Sequence, residues 1–115
     1  MKRTVIALTT AGLLLVPASG AWAHAEASHL TPKPGSSVER STSRVSLRFS
    51  EAVVAGRIKV TDGQGRTVSR RSKFNKGKTR LRASLDLHKG RFTVRATWVA
   101  DDGDDQSKIW HFTSG

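Results

Sequence analysis

The sequence predicts an all-β domain, an antiparallel sandwich of the immunoglobulin-like kind. Three observations lead to this fold class: apolar and polar residues alternate over several short segments, turn residues separate these segments, and no segment carries a convincing helical period. Alternation with a period of two places one face of a strand against a core and the other in solvent. Short strands separated by turn signals are typical of sandwiches.

The segment Arg44–Glu51 shows the alternation most strictly, with Val45, Leu47 and Phe49 on one face. Four later segments are predicted to turn the following residues inward: Ile58 and Val60; Leu81, Ala83, Leu85 and Leu87; Phe92, Val94, Ala96 and Trp98; Trp110 and Phe112. Between the second and third of these five segments, Asp62-Gly63-Gln64-Gly65 is a strong turn signal. With Val68 in a short return strand, it predicts a hairpin.

Two stretches lack the pattern. The polar stretch after His24, with Pro32, Pro34 and Gly35, is interpreted as an extended lead-in with turns. Arg70–Lys78 is interpreted as a basic, solvated loop.

Residues 1–23 have the three regions of a cleavable secretory signal. Lys2 and Arg3 precede a mostly apolar run from Val5 to Val16, and Ala21-Trp22-Ala23 supplies the small residues of a cleavage site. A transmembrane anchor is the alternative, but the run is shorter than the roughly 18 residues that cross a bilayer. We therefore expect cleavage after Ala23, leaving residues 24–115 as one domain that does not span the membrane.

The composition limits the possible chemistry. The sequence has no Cys, and its single Met is Met1, within the predicted signal. The mature domain therefore has no disulfide and no thiolate or thioether ligand, which excludes a soft copper(I) site.

The chain is strongly basic, with 20 Lys and Arg against 9 Asp and Glu. Nucleic acid is not an expected partner, because the chain is exported and offers no platform of aromatic residues for base stacking. An exported basic protein meets anionic lipid, cell-wall polymer or acidic partners instead. The alternative is a solvated surface that keeps the domain soluble.

One segment, Asp101-Asp102-Gly103-Asp104-Asp105, concentrates acidic residues in this basic chain. It is a candidate site for a cation. The alternative is a polar turn between the last two strands, since Asp and Gly are common turn residues. The segment lacks the spacing of an EF-hand calcium loop.

Cleavage after Ala23 would make His24 the first residue. The α-amino nitrogen and the ring nitrogen of such a histidine can chelate one metal ion together, and copper(II) favours tetragonal sites with nitrogen and oxygen donors. The alternative is that His24 follows the cleavage point by chance.

Residues 24–115 resemble the CopC family of periplasmic copper-resistance proteins. The matching residues are His24-Ala25, Thr31-Pro32, Gly35, Phe49-Ser50-Glu51, Asp62, Gly65, Val68, Gly90-x-Phe92-x-Val94, Asp102-Gly103 and Phe112-Thr113. The resemblance implies a Greek-key β-sandwich of about seven strands that binds copper(II) in the periplasm. It also implies a partner, an inner-membrane copper transport protein. A monomer is expected.

The resemblance further implies the ligands: the N-terminal His, through amine and ring, and an Asp-x-His before the last strand. His24 and Asp102 match the first two, but Asp104 stands where the family has the loop histidine. The family's Trp in the preceding strand falls on Ala96, and Trp98 is expected to fill the same core space. His29 is a candidate replacement ligand.

The two remaining histidines are given structural roles. His88 is interpreted as a turn residue and His111 as an exposed strand residue.

Three function classes remain. The first is a non-enzymatic copper(II) carrier or buffer with a weakened site. The second is a CopC-like module whose metal site has decayed and which binds an anionic surface or acidic partner. The third is an oxidative copper enzyme of the lytic polysaccharide monooxygenase type, which needs a second histidine and a broad substrate face. Nucleophilic catalysis has no supporting residue pattern.

Overall fold

Strands with alternating apolar residues form two four-stranded sheets that pack face to face. The computed structural model of the protein describes residues 25–115. The strands are β1 (Ala27–Thr31), β2 (Ser37–Val38), β3 (Arg44–Phe49), β4 (Ala55–Thr61), β5 (Ser69–Phe74), β6 (Arg80–Leu85), β7 (Gly90–Val99) and β8 (Asp105–Ser114). The first sheet has the order β1-β3-β6-β5 and the second β2-β8-β7-β4. The predicted immunoglobulin-like sandwich is confirmed, with eight strands against the seven or so expected.

All pairings are antiparallel except that of β2 with β8, which is parallel. Within residues 25–115 no helix is long and apolar enough to cross a membrane. The predicted signal, residues 1–23, lies outside the described residues.

The core lies between the sheets and is formed by the faces that the alternation predicted. Residues exposed by 6% or less include Val45, Leu47, Phe49, Ile58, Val60, Leu81, Ala83, Leu85, Phe92, Val94, Ala96, Trp98, Trp110 and Phe112. Leu87, also predicted inward, is only partly buried and packs against this cluster. The inward faces of β3, β4, β6, β7 and β8 are therefore confirmed.

The prediction of a loop over Arg70–Lys78 is wrong for its first part, because β5 runs to Phe74. Two of the three inward side chains of β5 are hydroxyls, which bond the backbone of β4, while the third, Phe74, packs against the core. The backbone N–H of Val60 donates to Ser69 Oγ (2.9 Å), and that of Ile58 donates to Ser72 Oγ (2.8 Å). Since these hydroxyls replace apolar contacts, the strand has no hydrophobic alternation.

The predicted hairpin at Asp62–Gly65 is wrong in its extent. Thr61 and Thr67 form an isolated antiparallel bridge, and the Val68 N–H donates to the Val60 carbonyl (2.8 Å). The chain then crosses to the first sheet, where β5 pairs with β6. The turn therefore connects two sheets.

The predicted lead-in contains two strands that the sequence did not indicate. β1 pairs with β3 through a bulge between Ser28 and Thr31, and β2 pairs with β8. The indole N–H of Trp110 donates to the Pro32 carbonyl (2.9 Å), which holds the connection between these strands against the core.

Candidate metal site

The aspartate loop, Asp101–Asp104, joins β7 to β8 in a tight turn. The Ala100 N–H donates to the Asp104 carbonyl and the Gly103 N–H to the Ala100 carbonyl, both at 2.9 Å. Gly103 has a φ of 89°, a left-handed conformation that glycine adopts without a steric penalty. Asp102 Oδ1 accepts the Asp104 N–H (3.0 Å), while both aspartate side chains are exposed. The turn thus presents carboxylates to solvent.

The first described residue, Ala25, is fixed beside the end of β7 that leads into this loop. The indole N–H of Trp98 donates to the Ala25 carbonyl (2.9 Å), and Ala25 is 1% exposed. The Trp98 ring also packs against Phe49, with 5.1 Å between centroids. Trp98 is buried on the inward face, as expected, and it ties Ala25 to the strand that leads into the aspartate loop.

A second pair of contacts fixes the same segment. The Ser50 N–H donates to the Glu26 carbonyl (2.8 Å), and the Glu26 N–H donates to Ser50 Oγ (2.9 Å). Ala25 and Glu26 are therefore held by contacts with Trp98, near the end of β7, and with Ser50, which follows β3.

Of the predicted ligands, the structure describes Asp102, Asp104 and His29, whereas His24 lies outside the described residues. Between residues 25 and 115, no three His, Asp or Glu side chains meet in a group that could hold a metal ion. The described part of the site therefore consists of two exposed carboxylates in the loop that follows β7.

His29 lies in the bulge of β1, exposed, with a φ of 52° and its Nδ1 3.0 Å from Ser28 Oγ. The shallow pocket beside it is lined by Arg44, Arg48, Arg80 and Arg82. Positive charges at this range raise the free energy of a bound cation. These surroundings do not favour metal binding.

His88 lies in the connection between β6 and β7, as predicted for a turn residue. It also forms an ion pair that the sequence did not indicate. Its Nε2 lies 3.1 Å from Asp62 Oδ2 and its Nδ1 2.9 Å from the Lys89 carbonyl. Both ring nitrogens face acceptors, so only the doubly protonated ring satisfies both. Its ring also packs against Phe92, at 5.1 Å between centroids.

The Asp62 side chain is buried and accepts from the backbone N–H groups of Gln64 and Arg66, both at 2.9 Å. Arg66 Nε also donates to it (3.2 Å). The backbone hydrogen bond from Arg66, aided by His88 and against the effect of burial, lowers the pKa of Asp62 to about 2. The Lys89 carbonyl, and then Asp62, raise the pKa of His88.

The sequence Asp-Gly-Gln-Gly indicates a turn in which the aspartate side chain accepts hydrogen bonds from the backbone of the same turn. No local sequence signal could have indicated that His88 pairs with this aspartate, because His88 lies in another turn, 26 residues further along the chain. His111, predicted to be exposed, is half-buried in β8.

Comparisons with known proteins agree with this architecture. The structure of CopC from Methylosinus trichosporium OB3b is similar at a TM-score of 0.72 and 23% identity, covering 79% of this chain and 93% of that one. PcoC, a methionine-rich copper resistance protein from Escherichia coli, gives a TM-score of 0.65 and 19% identity, covering 81% of this chain and 100% of that one. Among curated proteins, none matches this sequence at a significant level.

The family assignment comes from the sequence comparison. The model of the CopC domain matches residues 27–115, which is most of the chain and includes the aspartate loop and all eight strands. The chain therefore belongs to the CopC domain family.

Proposed function

We propose that this protein is a copper(II) carrier or buffer, without catalysis, that acts in the periplasm after cleavage behind Ala23. Membership of the CopC family and the likeness to copper-resistance proteins support a copper-related function. Copper(II) is bound by the amine and ring of His24, with Asp102 and Asp104 as oxygen donors. The released metal passes to an inner-membrane copper transport protein.

The observation that carries the proposal is the anchor of Ala25 on Trp98. Trp98 lies at the end of β7, the strand that leads into the aspartate loop, and Ala25 is the residue that would follow His24 in the mature chain. This contact supports the expectation that the amine and imidazole of His24 come within reach of the loop carboxylates.

The donor set favours copper(II) over copper(I). PcoC is described as methionine-rich, whereas this chain has Met1 alone and no Cys. Nitrogen and oxygen donors suit copper(II), while copper(I) prefers the thioether and thiolate ligands that are missing here. Because a carboxylate replaces the imidazole that the family has at Asp104, we expect a weaker and less selective site.

A copper(II) titration of the mature protein, with its N-terminus established by intact mass, tests the proposal. His24→Ala and a Gly added before His24 should weaken binding to a similar extent, since each removes half of the chelate. His29→Ala is the matched control and should bind as the wild type does. Unchanged affinity in the Gly-extended protein would contradict the proposal, because the amine would then take no part.

The pH dependence gives a second measurement. Amine and imidazole must both lose protons to ligate, and their ordinary pKa values are about 7.7–8.0 and about 6.5. Copper(II) affinity should therefore fall steadily as the pH is lowered through this range.

A further inference from the structure

The first sheet carries charge of one sign. Its four strands contain no Asp or Glu and the following basic residues: Arg44, Arg48, Arg70, Arg71, Lys73, Arg80 and Arg82. Arg70 is paired with Asp86 (2.6 Å). The other six form the basic face, and within residues 25–115 none of them has a carboxylate partner.

The register of the sheet crowds these charges. Arg48 lies directly opposite Arg80, and Lys73 directly opposite Arg82. Like charges at opposed positions of antiparallel strands destabilise the sheet. Arg44 and Arg82 line two neighbouring shallow pockets of about 280 and 220 Å³. An anionic partner would relieve this repulsion.

A bulge in β5 adds to the basic face. Ser69 pairs with Leu85 and Ser72 with Ala83, so two residues, Arg70 and Arg71, oppose one residue of β6. The bulge lets both serines turn towards β4 and leaves both arginines exposed.

The second sheet differs in composition. Its outer positions hold Arg57, Lys59, Arg91 and Arg95, but they alternate with threonines, and β8 contributes Asp105 and the half-exposed Ile109. It has one opposed like-charge pair, Lys59 with Arg95. With Lys108 of β8 included, the strands of the second sheet carry five basic residues and one acidic residue, against seven and none in the first, so the second sheet is a less charged internal comparison.

We propose that the basic face binds the phosphate headgroups of an anionic phospholipid bilayer, as a peripheral contact that does not depend on copper. Among residues 25–115, the exposed large apolar side chains are Val54 and Ile109, and neither lies on this sheet. A protein partner would be expected to use apolar or aromatic anchors, which this face does not offer. A flat array of cations suits a bilayer, because lipids diffuse until their phosphates meet the guanidinium groups.

Vesicle co-sedimentation at low salt tests the proposal, with phosphatidylglycerol–phosphatidylcholine vesicles and pure phosphatidylcholine vesicles. The variant Arg44→Gln/Arg82→Gln should bind the anionic vesicles about thirtyfold more weakly, since each basic residue near such a surface contributes about fivefold. The matched control, Arg57→Gln/Arg95→Gln, loses the same charge from the second sheet and should change binding less than threefold. Circular dichroism checks that each variant folds, and Arg48→Gln/Arg80→Gln provides a second pair on the basic face.

Binding by the wild type to anionic vesicles alone, abolished by salt and weakened selectively by the basic-face variants, supports the proposal. Equal losses in the two sheets would overturn it, because net charge alone would then explain binding. Absence of vesicle binding would also overturn it. So would binding to soluble polyphosphate without binding to vesicles, which would assign the face to a phosphate polymer. None of these outcomes bears on copper binding, which is measured separately.

Discussion

Two aspartate-bearing turns, the one after β4 and the aspartate loop, differ in the burial and bonding of their carboxylates. In the turn after β4, Asp62 is buried and accepts hydrogen bonds from its own turn, from Arg66 and from His88. In the aspartate loop, Asp102 is exposed and accepts from the backbone of Asp104. A buried carboxylate that accepts hydrogen bonds from its own fold stabilises the structure, whereas an exposed carboxylate is accessible to a ligand.

The largest expected effect is the loss of stability in Asp62→Ala. The substitution removes the acceptor of several charge-assisted hydrogen bonds and leaves the His88 ring without its partner, so the melting temperature should fall on the order of 10 °C. Asp102→Ala is the matched control and should stay within about 0.5 kcal/mol of the wild type, as is usual for exposed residues. Thermal melts of both variants measure the difference. Equal melting temperatures would show that the buried carboxylate has no special structural role.

The pH dependence of stability should follow the same turn. The pKa of Asp62 is lowered from 3.8 to about 2 in the folded state, so its contribution is present above about 3.8 and is lost as the pH falls towards 2. The pKa of His88 is raised above 6.5, so its contribution is present below 6.5 and is lost as the pH rises through the folded value. The melting temperature should therefore be highest between about pH 4 and pH 6.5.

His88→Gln isolates the upper limb of this profile. The variant should lose stability at pH 5 and show a flatter decline above pH 6.5, because the titrating group is gone. His111→Gln serves as the control, since the ring of His111 takes no part in this turn, and it should keep the wild-type profile. An unchanged upper limb in His88→Gln would assign the decline to another group.

The smallest expected effect concerns copper(II) affinity in the aspartate loop. Asp104→His should strengthen binding about tenfold, which corresponds to about 1.4 kcal/mol, because copper(II) prefers imidazole nitrogen to a carboxylate. Asp104→Ala should weaken it, and Asp86→Ala, an exposed carboxylate of the β6–β7 connection, should leave it unchanged. Isothermal titration on the mature protein measures these constants. If wild type, Asp104→Ala and Asp104→His bound equally, the loop would not contact the metal.

The core could be predicted from alternation alone, as Val45, Leu47 and Phe49 of β3 illustrate. Three strands, β1, β2 and β5, could not be predicted in this way. In β5, the hydroxyls of Ser69 and Ser72 bond the backbone of β4, so Phe74 is its one apolar inward residue and the strand shows no hydrophobic alternation. The strands β1 and β2 are short, and their partners β3 and β8 lie well apart from them in the sequence.

The candidate site, like the fold, could be predicted only in part from the sequence. Residue type and the resemblance identify Asp102, Asp104 and His24, and their proximity stays a prediction. The anchor between Ala25 and Trp98 joins residues 73 positions apart, and no local pattern contains it.

The sequence by itself determined the chemistry that is available: no Cys, Met1 alone, an excess of basic residues and one cluster of aspartates. It also determined the fold class, because alternation fixes which face of a strand is buried. The tertiary structure decided which of these residues act together. It gathers arginines from separate strands on one sheet, pairs Asp62 with His88 and fixes Ala25 on the indole of Trp98. These are contacts between residues distant in the chain, and strand order and register, rather than local pattern, set them.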